Sequence, residues 1–281
     1  MKIIRSISEM QSLALRQRES GRRIGLVPTM GSLHEGHLCL VDAAKQRTDF
    51  VVLSLFVNPT QFGPQEDFSR YPRDFERDRR LAEERGVDVL FAPEAAEVYP
   101  PGHQTFVVVT ELSRGLCGAF RPGHFRGVAT VVAALFMMTQ PQLAVFGEKD
   151  YQQLAVIRRM VRDLHIPVSI LGLSTLRDAD GLALSSRNAY LSAEERAEAL
   201  GIPRAIAAAQ ERFHQGERRA AVLIETAASI LAQGKSTVLQ YLEMVDAETL
   251  ESVESIARPA RLMTAVLVNG KRLIDNGEFR V

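Results

Sequence analysis

Residues 24–40 read IGLVPTMGSLHEGHLCL, and the meaning of the rest of the chain depends on this stretch. Ile24, Leu26 and Val27 form a short apolar run that Pro28 and Gly31 interrupt, so a buried strand ending in a loop is expected. Apolar residues return at helical spacing with Leu38, Leu40 and Val41, which predicts a helix from about Gly36. His34 and His37 stand three apart at that helix start, a spacing that can aim both rings off one face of the first turn. A strand, a glycine-containing loop and a helix N-terminus offer outward N–H groups and the positive end of a helix dipole to an anion. Gly31 and Gly36 let a large ligand come close to the backbone. Two imidazoles there can stabilise negative charge that builds during group transfer. The plainer alternative is a pair of surface histidines.

On the N-terminal side, Ser8 opens an S-x-x-Q pattern ending at Gln11, which predicts a capped helix to about Glu19. On the C-terminal side, residues 49–57, DFVVLSLFV, are apolar or β-branched almost throughout, as in a parallel strand covered on both faces. A long loop over 60–72, a polar helix over 74–85 and a short strand over 87–91 are expected next. Such alternation implies right-handed crossovers and a parallel sheet. A Pro-rich loop (93–104), a strand (105–109), a loop rich in Gly and Arg (115–127), an apolar helix (128–138), a strand (143–146), a helix (151–164) and a strand (168–171) continue it. The alternation stops near Thr175. A polar loop, RDADGLALSSRN (177–188), is followed by a helix from the capping box Ser192–Glu195 to about Gln215, a second helix over 220–233, and strand-like pieces at 239–245, 262–268 and 271–274. The expected fold class is α/β: a Rossmann-like parallel sheet with helices on both faces over 1–175, then a smaller α+β C-terminal domain over 176–281.

Composition narrows the function. The 281 residues are 46% hydrophobic and 24% charged, which is ordinary for a globular protein. Lys plus Arg equals Asp plus Glu at 34 each, so nothing favours a general nucleic-acid or anionic-membrane binder, and any anionic ligand must be held by local geometry. Two cysteines, Cys39 and Cys117, give no disulfide framework. The start, MKIIRSISEM, has no apolar h-region, and the longest apolar run, 128–138, is too short to span a bilayer. A soluble cytoplasmic protein is expected. A G-x-G-x-x-G after a strand, a G-x-x-x-x-G-K-[ST], a C-x-x-C and an H-E-x-x-H are all missing from the sequence. His34, His37 and Cys39 could begin a metal site, but no further ligands suggest themselves, so no protein-built metal site is expected.

Other constellations lie at predicted strand ends. Gly147-Glu148-Lys149-Asp150 follows the run Leu143–Phe146, and strand C-termini of a parallel sheet gather at one edge. The loop after Val27 and this one can thus face the same crevice. Lys149 can reach phosphate oxygens, and Asp150 can cap the next helix or bind a ribose hydroxyl. Ser185-Ser186-Arg187-Asn188 combines two hydroxyls with a guanidinium, a set suited to phosphate. Gln61 and Gln153 are amides just beyond two strands, suited to a ligand bearing hydroxyl and carboxylate groups. Arg121, His124 and Arg126 form a basic loop that could hold a carboxylate.

His34-Glu35-Gly36-His37 resembles the HIGH signature of the nucleotidyltransferase superfamily. Several longer blocks together resemble one family closely, the pantoate–β-alanine ligases or pantothenate synthetases. They are PTMGSLHEGH (28–37), FVNPTQF (56–62), RYPRD (70–74), RPGHFRGVATVV (121–132), FGEKDYQQL (146–154), RDADGLALSSRN (177–188) and RLIDN (272–276). They stand in the family's order across almost the full length. The resemblance implies a cytoplasmic homodimer that joins pantoate to β-alanine, using ATP with Mg²⁺ and releasing AMP and pyrophosphate. Carried onto matching positions, it implies ATP contacts from Met30, Gly31, Ser32, Leu33, His34, Glu35, Gly36 and His37, and from Gly147, Glu148, Lys149, Asp150, Leu176, Leu184, Ser185, Ser186 and Arg187. His37 would be the proton donor, Gln61 and Gln153 would bind pantoate, and Gln61 would also lie by β-alanine. His34, His37, Lys149 and Arg187 would share the charge that develops in catalysis. Mg²⁺ would be held largely through the nucleotide phosphates. Two departures are Ser174, where the family often has proline, and LVNGKRLIDN (267–276), where a Gly-x-Thr-Arg pattern is more usual. The competing readings are a nucleotidyltransferase that leaves a nucleotide on its product and a nucleotide-binding regulatory protein without catalysis.

Overall fold

The computed structural model describes residues 1–64 and 66–281. Gln65, in the middle of the expected 60–72 loop, lies outside the described residues. The chain divides into two compact units. The first comprises Met1–Ser113, Arg121–Glu148 and Gln153–Ser174; the second comprises Arg114–Phe120, Lys149–Gln152 and Thr175–Val281.

The first unit holds β1 (Lys2–Ile4), α1 (Ile7–Glu19), β2 (Ile24–Thr29), α2 (Glu35–Lys45), β3 (Phe50–Leu55), α3 (Phe75–Glu84), β4 (Val89–Phe91) and the one-turn α4 (Ala95–Val98). After the short α5 (Cys117–Phe120) of the second unit come α6 (His124–Thr139), β5 (Leu143–Gly147), α7 (Tyr151–Asp163) and β6 (Ser169–Leu173). All six strands are parallel, in the order β1-β4-β3-β2-β5-β6. Strand side chains alternate between faces. One face, with Val27, Val51, Leu53, Leu90, Leu143 and Val145, packs against Leu40, Val41 and Ala44 of α2 and Ala82 of α3. On the other face α1 and α6 pack on β2 and on each other. The α/β class and the helices on both faces are as the alternation predicted.

The order of the strands reverses between β2 and β5, the topological switch point where open α/β sheets bind ligands. There the sheet forks. β2 stays paired with β3 out to Thr29↔Leu55, and β5 with β6 out to Gly147↔Leu173, but β2 and β5 pair only at Gly25↔Leu143 and Leu26↔Ala144. Pro28, expected to interrupt the strand, lies inside it. The reason is directional. Ile24 accepts from Gln142 N and donates to the Gln142 side chain, so even-numbered residues of β2 turn their backbone groups toward β5, while the Thr29 carbonyl accepts from Phe56 N on the β3 side. The amide hydrogen that proline lacks would thus point into the fork, where no ladder bond is lost.

Other expectations need correction. The cap of α1 is Ser6, whose hydroxyl accepts from Glu9 N, so the S-x-x-E pattern two residues upstream wins over Ser8–Gln11. Residues 105–109 join no strand; Phe106 and Val108 are 42% and 58% exposed, and the Val107 N–H donates to Thr130 Oγ1 instead of to a ladder. β1 went unforeseen because three residues at a sheet edge carry little pattern.

The second unit packs α8 (Ala193–Ala199), α9 (Gly201–His214) and α10 (Ala220–Leu231) on an antiparallel sheet, β7 (Thr237–Asp246), β8 (Ala260–Val268) and β9 (Lys271–Phe279), in the order β7-β8-β9. Its core joins Ile202, Ile206 and Phe213 of α9 to Leu223 and Leu231 of α10 and to Leu262, Val266 and Phe279 of the sheet. The Ser192–Glu195 capping box is present. The single helix expected to Gln215 is two, because Pro203 cannot donate to the Ala199 carbonyl and its ring crowds that turn.

Candidate functional site

At the carboxyl edge of the first unit, the β2–α2 turn is built from within. Gly31 (φ 83°) and Ser32 (φ 52°) are both left-handed. The Gly31 N–H donates to Thr29 Oγ1 at 3.3 Å, and Thr29 Oγ1 donates to the Ser54 carbonyl at 2.7 Å. The Ser32 and Leu33 N–H groups donate to the two oxygens of Asp78, at 2.8 and 2.7 Å, and Arg77 donates to the Leu33 carbonyl at 2.8 Å. A Cβ on Gly31 would lie 2.9 Å from the Asp78 carboxylate, so glycine is required by contact as well as by φ. Asp78 is 1% exposed, and burial pushes its carboxyl above the usual range despite the two N–H donors.

His34 is the N-cap of α2 but makes no side-chain cap. Its carbonyl accepts from the N–H groups of His37 and Leu38. The amides of Glu35 and Gly36, at the first two helical positions, have no intrahelical acceptor by geometry. The two imidazoles lie together, ring centroids 4.0 Å apart and planes 31° apart, as their spacing predicts. The Glu35 carboxylate pairs with Arg85, which also holds Asp42 at 2.8 Å. Burial raises the Cys39 thiol, with Asp42 and Glu35 adding to it, and Cys39 donates to the Gly36 carbonyl. It is not an activated nucleophile.

Gln61 is fixed at both ends. Pro59–Gln61 is a single 3₁₀ turn capped by Asn58. It lies so close to α6 that a Cβ on Gly127 would meet the Thr60 carbonyl oxygen at 2.4 Å. Asn58, 1% exposed, donates to Gln61 Oε1 at 3.0 Å and to the Gly127 carbonyl at 3.1 Å, while its own oxygen accepts from Tyr99 OH at 2.8 Å and from Thr60. The Gln61 amide nitrogen is thereby turned toward Met30, 3.1 Å from its sulfur. Burial raises the Tyr99 phenol, keeping it a hydrogen-bond donor at neutral pH. The Gln61 carbonyl faces His124 Nδ1 at 2.9 Å and Arg121 Nη2 at 3.3 Å. His124 and Arg126, expected on a loop, lie in the first turn of α6, and Arg121 just before it already serves an internal carboxylate. Arg121 grips Glu66 through Nε at 2.7 Å and Nη2 at 2.5 Å. Burial alone would raise Glu66, but this pairing outweighs it and holds the carboxyl below its usual range. Arg126 stands apart, stacked on Phe106 at 4.8 Å.

Gly147 ends β5 across the fork from Met30, with Glu148 directly after it, and Gln153 lies in the first turn of α7. Its neighbour Gln152 has an interior task, accepting from Cys117 N at 3.0 Å and donating to the Gly115 carbonyl at 2.9 Å.

In the second unit, the Lys149 ammonium is 3.6 Å from Asp150, and its carbonyl accepts from Asn276 Nδ2 at 3.1 Å. Leu176 and Leu184 are brought together by the Leu184 N–H to Leu176 carbonyl bond, at the base of a turn through Gly181. That turn is pinned by Arg177 on Asp275, at 2.6 and 3.0 Å, and by Arg196 on Asp178 and Asp180. Ser185 caps the 3₁₀ turn Ser186–Tyr190, its hydroxyl accepting from Arg187 N at 3.3 Å. The first unit thus carries Met30–His37, Gln61, Gly147, Glu148 and Gln153; the second carries Lys149, Asp150, Leu176, Leu184, Ser185, Ser186 and Arg187. Asn58, Asp78, Tyr99 and Glu66 were not foreseen as site-building residues. Asp78 had one sequence signal: with Phe75 and Ala82 it falls on the apolar stripe of a helix otherwise charged all round. No helix among the described residues is long and apolar enough to cross a membrane.

Comparison with known proteins places the whole chain. The family model described as pantoate-beta-alanine ligase matches residues 2–278. The pantothenate synthetase of Geobacter sulfurreducens is 52% identical over 276 residues, 98% of each chain, and that of Syntrophus aciditrophicus 50% identical over 279, covering 99% of this chain and 98% of its own. The crystal structure of pantothenate synthetase from Thermus thermophilus superposes with a TM-score of 0.95 at 48% identity over the whole of both chains. The pantoate-beta-alanine ligase of Francisella tularensis, complexed with beta-gamma ATP and beta-alanine, superposes with a TM-score of 0.81 at 34% identity, over 99% of this chain and 97% of its own. With a family match across nearly all of its length and relatives at half identity or better, the chain belongs to the pantoate–β-alanine ligase family.

Proposed function

We propose that this chain joins pantoate to β-alanine at the expense of ATP, through a pantoyl-adenylate intermediate, releasing pyrophosphate and AMP. The observation that carries the reading is the paired imidazoles of His34 and His37 at the N-terminus of α2, beside the forked switch point of a parallel sheet. A pantoate carboxylate oxygen attacks the α-phosphorus and pyrophosphate leaves; the β-alanine amine then attacks the acyl carbon and AMP leaves. Both steps rest on positioning and charge stabilisation, with no covalent enzyme intermediate. His37 donates a proton toward the leaving pyrophosphate, and His34, Lys149 and Arg187 share its charge.

ATP takes the β2–α2 turn (Met30, Gly31, Ser32, Leu33, His34, Glu35, Gly36, His37), the end of β5 (Gly147, Glu148, Lys149, Asp150), and Leu176, Leu184, Ser185, Ser186 and Arg187. Because the Glu35 carboxylate is engaged by Arg85, Glu35 offers its backbone amide. Gln61 and Gln153 bind pantoate. With Asn58 on its oxygen, Gln61 offers N–H, the correct half of the amide for a pantoate oxygen or for a β-alanine carboxylate. Mg²⁺ enters on the phosphates of ATP as part of the substrate. Residues 1–175 are read as the nucleotide- and pantoate-binding domain and 176–281 as a smaller lid domain. The family resemblance supports a homodimer, and two free thiols suit the reducing cytoplasm.

The direct test is pyrophosphate release from MgATP and pantoate with β-alanine omitted. A burst near one equivalent of enzyme is expected, followed by steady turnover and AMP when β-alanine is added. Release that strictly requires β-alanine would overturn the adenylate step. A stable nucleotidyl product would favour the nucleotidyltransferase alternative.

A further inference from the structure

The β2–α2 turn contains an anion-binding concavity that is already filled. Two successive left-handed residues, Gly31 and Ser32, aim the N–H groups of Ser32 and Leu33 at one point, and the Asp78 carboxylate sits there with one oxygen on each. From the adjacent position on α3, Arg77 takes the carbonyl of Leu33, so consecutive residues of one helix hold both the donors and the acceptor of this short stretch. Leu33 itself is 1% exposed and packed in the core, and the next residue is His34. Ser32 holds a conformation unfavourable to any residue with a Cβ, and it persists because the surroundings over-determine it.

We infer that Asp78 is a positioning residue for the ligase reaction: its carboxylate, and not a substrate phosphate, occupies the Ser32–Leu33 amides, and by doing so it fixes the turn from which His34 and His37 reach the reacting phosphate. The inference rests on the function proposed above. It also revises that proposal, since the Ser32 and Leu33 amides are taken by Asp78, while those of Glu35 and Gly36 at the start of α2 can still turn to the nucleotide.

A carboxylate buried this deeply is an expensive way to tie down a loop, because burial favours its neutral form. Its amide isostere avoids that cost but cannot accept from both N–H groups, since one oxygen is replaced by a donor. Asp78→Asn therefore separates positioning from folding. At pH 7 the variant exchanges the cost of a buried charge for one N–H of Ser32 or Leu33 left without its oxygen, and it is expected to remain folded at the assay temperature, as its melting curve would check. Its rate of pyrophosphate release from MgATP and pantoate should fall about 10- to 100-fold in kcat, as misplaced catalytic groups cost, with KM for ATP within about threefold because nucleotide contacts are kept.

Amide hydrogen exchange at Ser32 and Leu33 supplies a readout independent of turnover: slow in the wild type, faster in Asp78→Asn, and faster still in Asp78→Ala. Wild-type kcat in Asp78→Asn, or a loss that only tracks the fraction unfolded, overturns the inference. A loss confined to KM for ATP also overturns it, because the two amides would then belong to the nucleotide. If wild-type enzyme releases no pyrophosphate, the ligase reading fails. The exchange data then still decide whether Asp78 holds the turn.

Discussion

Two histidines, one pair of glutamines and a buried aspartate show what a single residue can and cannot reveal. His37→Ala should leave a folded protein, because the ring sits on the first turn of α2 and its backbone bond to His34 survives. Pyrophosphate release is expected to drop about 10²- to 10³-fold, the loss typical of removing one donor from a charge-stabilising site. Near wild-type release from the purified variant would remove His37 from the chemistry. Gln153→Ala should raise KM for pantoate far more than KM for ATP, since the interior amide work of this helix turn is done by Gln152. Equal losses for both substrates would argue against a pantoate-facing side chain. His34, His37 and Gln61 stood out in the sequence as candidates because each follows a predicted strand inside a recognisable block. Asp78 was not, because its partners are 45 and 46 residues away and no local pattern announces a pairing at that distance. Glu66, 55 residues from Arg121, was hidden for the same reason.

Elements were legible wherever periodicity was uninterrupted. The run Phe50–Leu55 is a covered strand because every position meets apolar neighbours, and sequence pattern measures that directly. Errors gathered where one residue carries the decision. Pro203 splits a continuous apolar stripe into α8 and α9; Ser6, not Ser8, captures the start of α1; and residues 105–109 have strand composition without a strand to pair with. The capping box of α8 was read correctly, and it carries a further load. Glu195 accepts from Lys271 at 2.6 Å, from the Ser192 N–H at 2.8 Å and from Asn269 at 2.7 Å, tying α8 to the β8–β9 hairpin. These bonds, Lys271 first, hold its carboxyl at about 2, below the ordinary glutamate value. A depressed carboxyl stabilises the folded state above its unfolded pKa and loses that contribution as pH falls toward the folded one. Glu195→Gln should therefore be less stable than wild type at pH 7. The gap should narrow as pH falls from about 4.5 toward 2, which melting curves of both proteins across that range would check. A gap independent of pH would mean the carboxylate's charge is not what matters.

For the whole molecule, the division of labour follows from two kinds of sheet. A parallel sheet with crossover helices brings every strand's carboxyl end to one edge, so residues as distant in sequence as Met30 and Gly147 stand at strand ends on either side of the forked switch point. The antiparallel unit has no such edge, and the residues proposed from it for ATP lie on turns: Leu176, Leu184 and Arg187, in a segment braced by the Arg177–Asp275 and Arg196–Asp178 pairs. With positive and negative side chains equal in number, attraction of a polyanionic nucleotide must come from short-range placement and not from the overall field. That much is legible in composition alone.

The forked sheet has one more implication. Where β2 and β5 separate, the inward-facing position on β2 is a proline, and no rotation or thermal fluctuation can give it a hydrogen to donate. The gap at the sheet's edge is thus written into the covalent chain and stands ajar before any guest arrives. On the function proposed above, a nucleotide entering there would lose none of its affinity to prising strands apart.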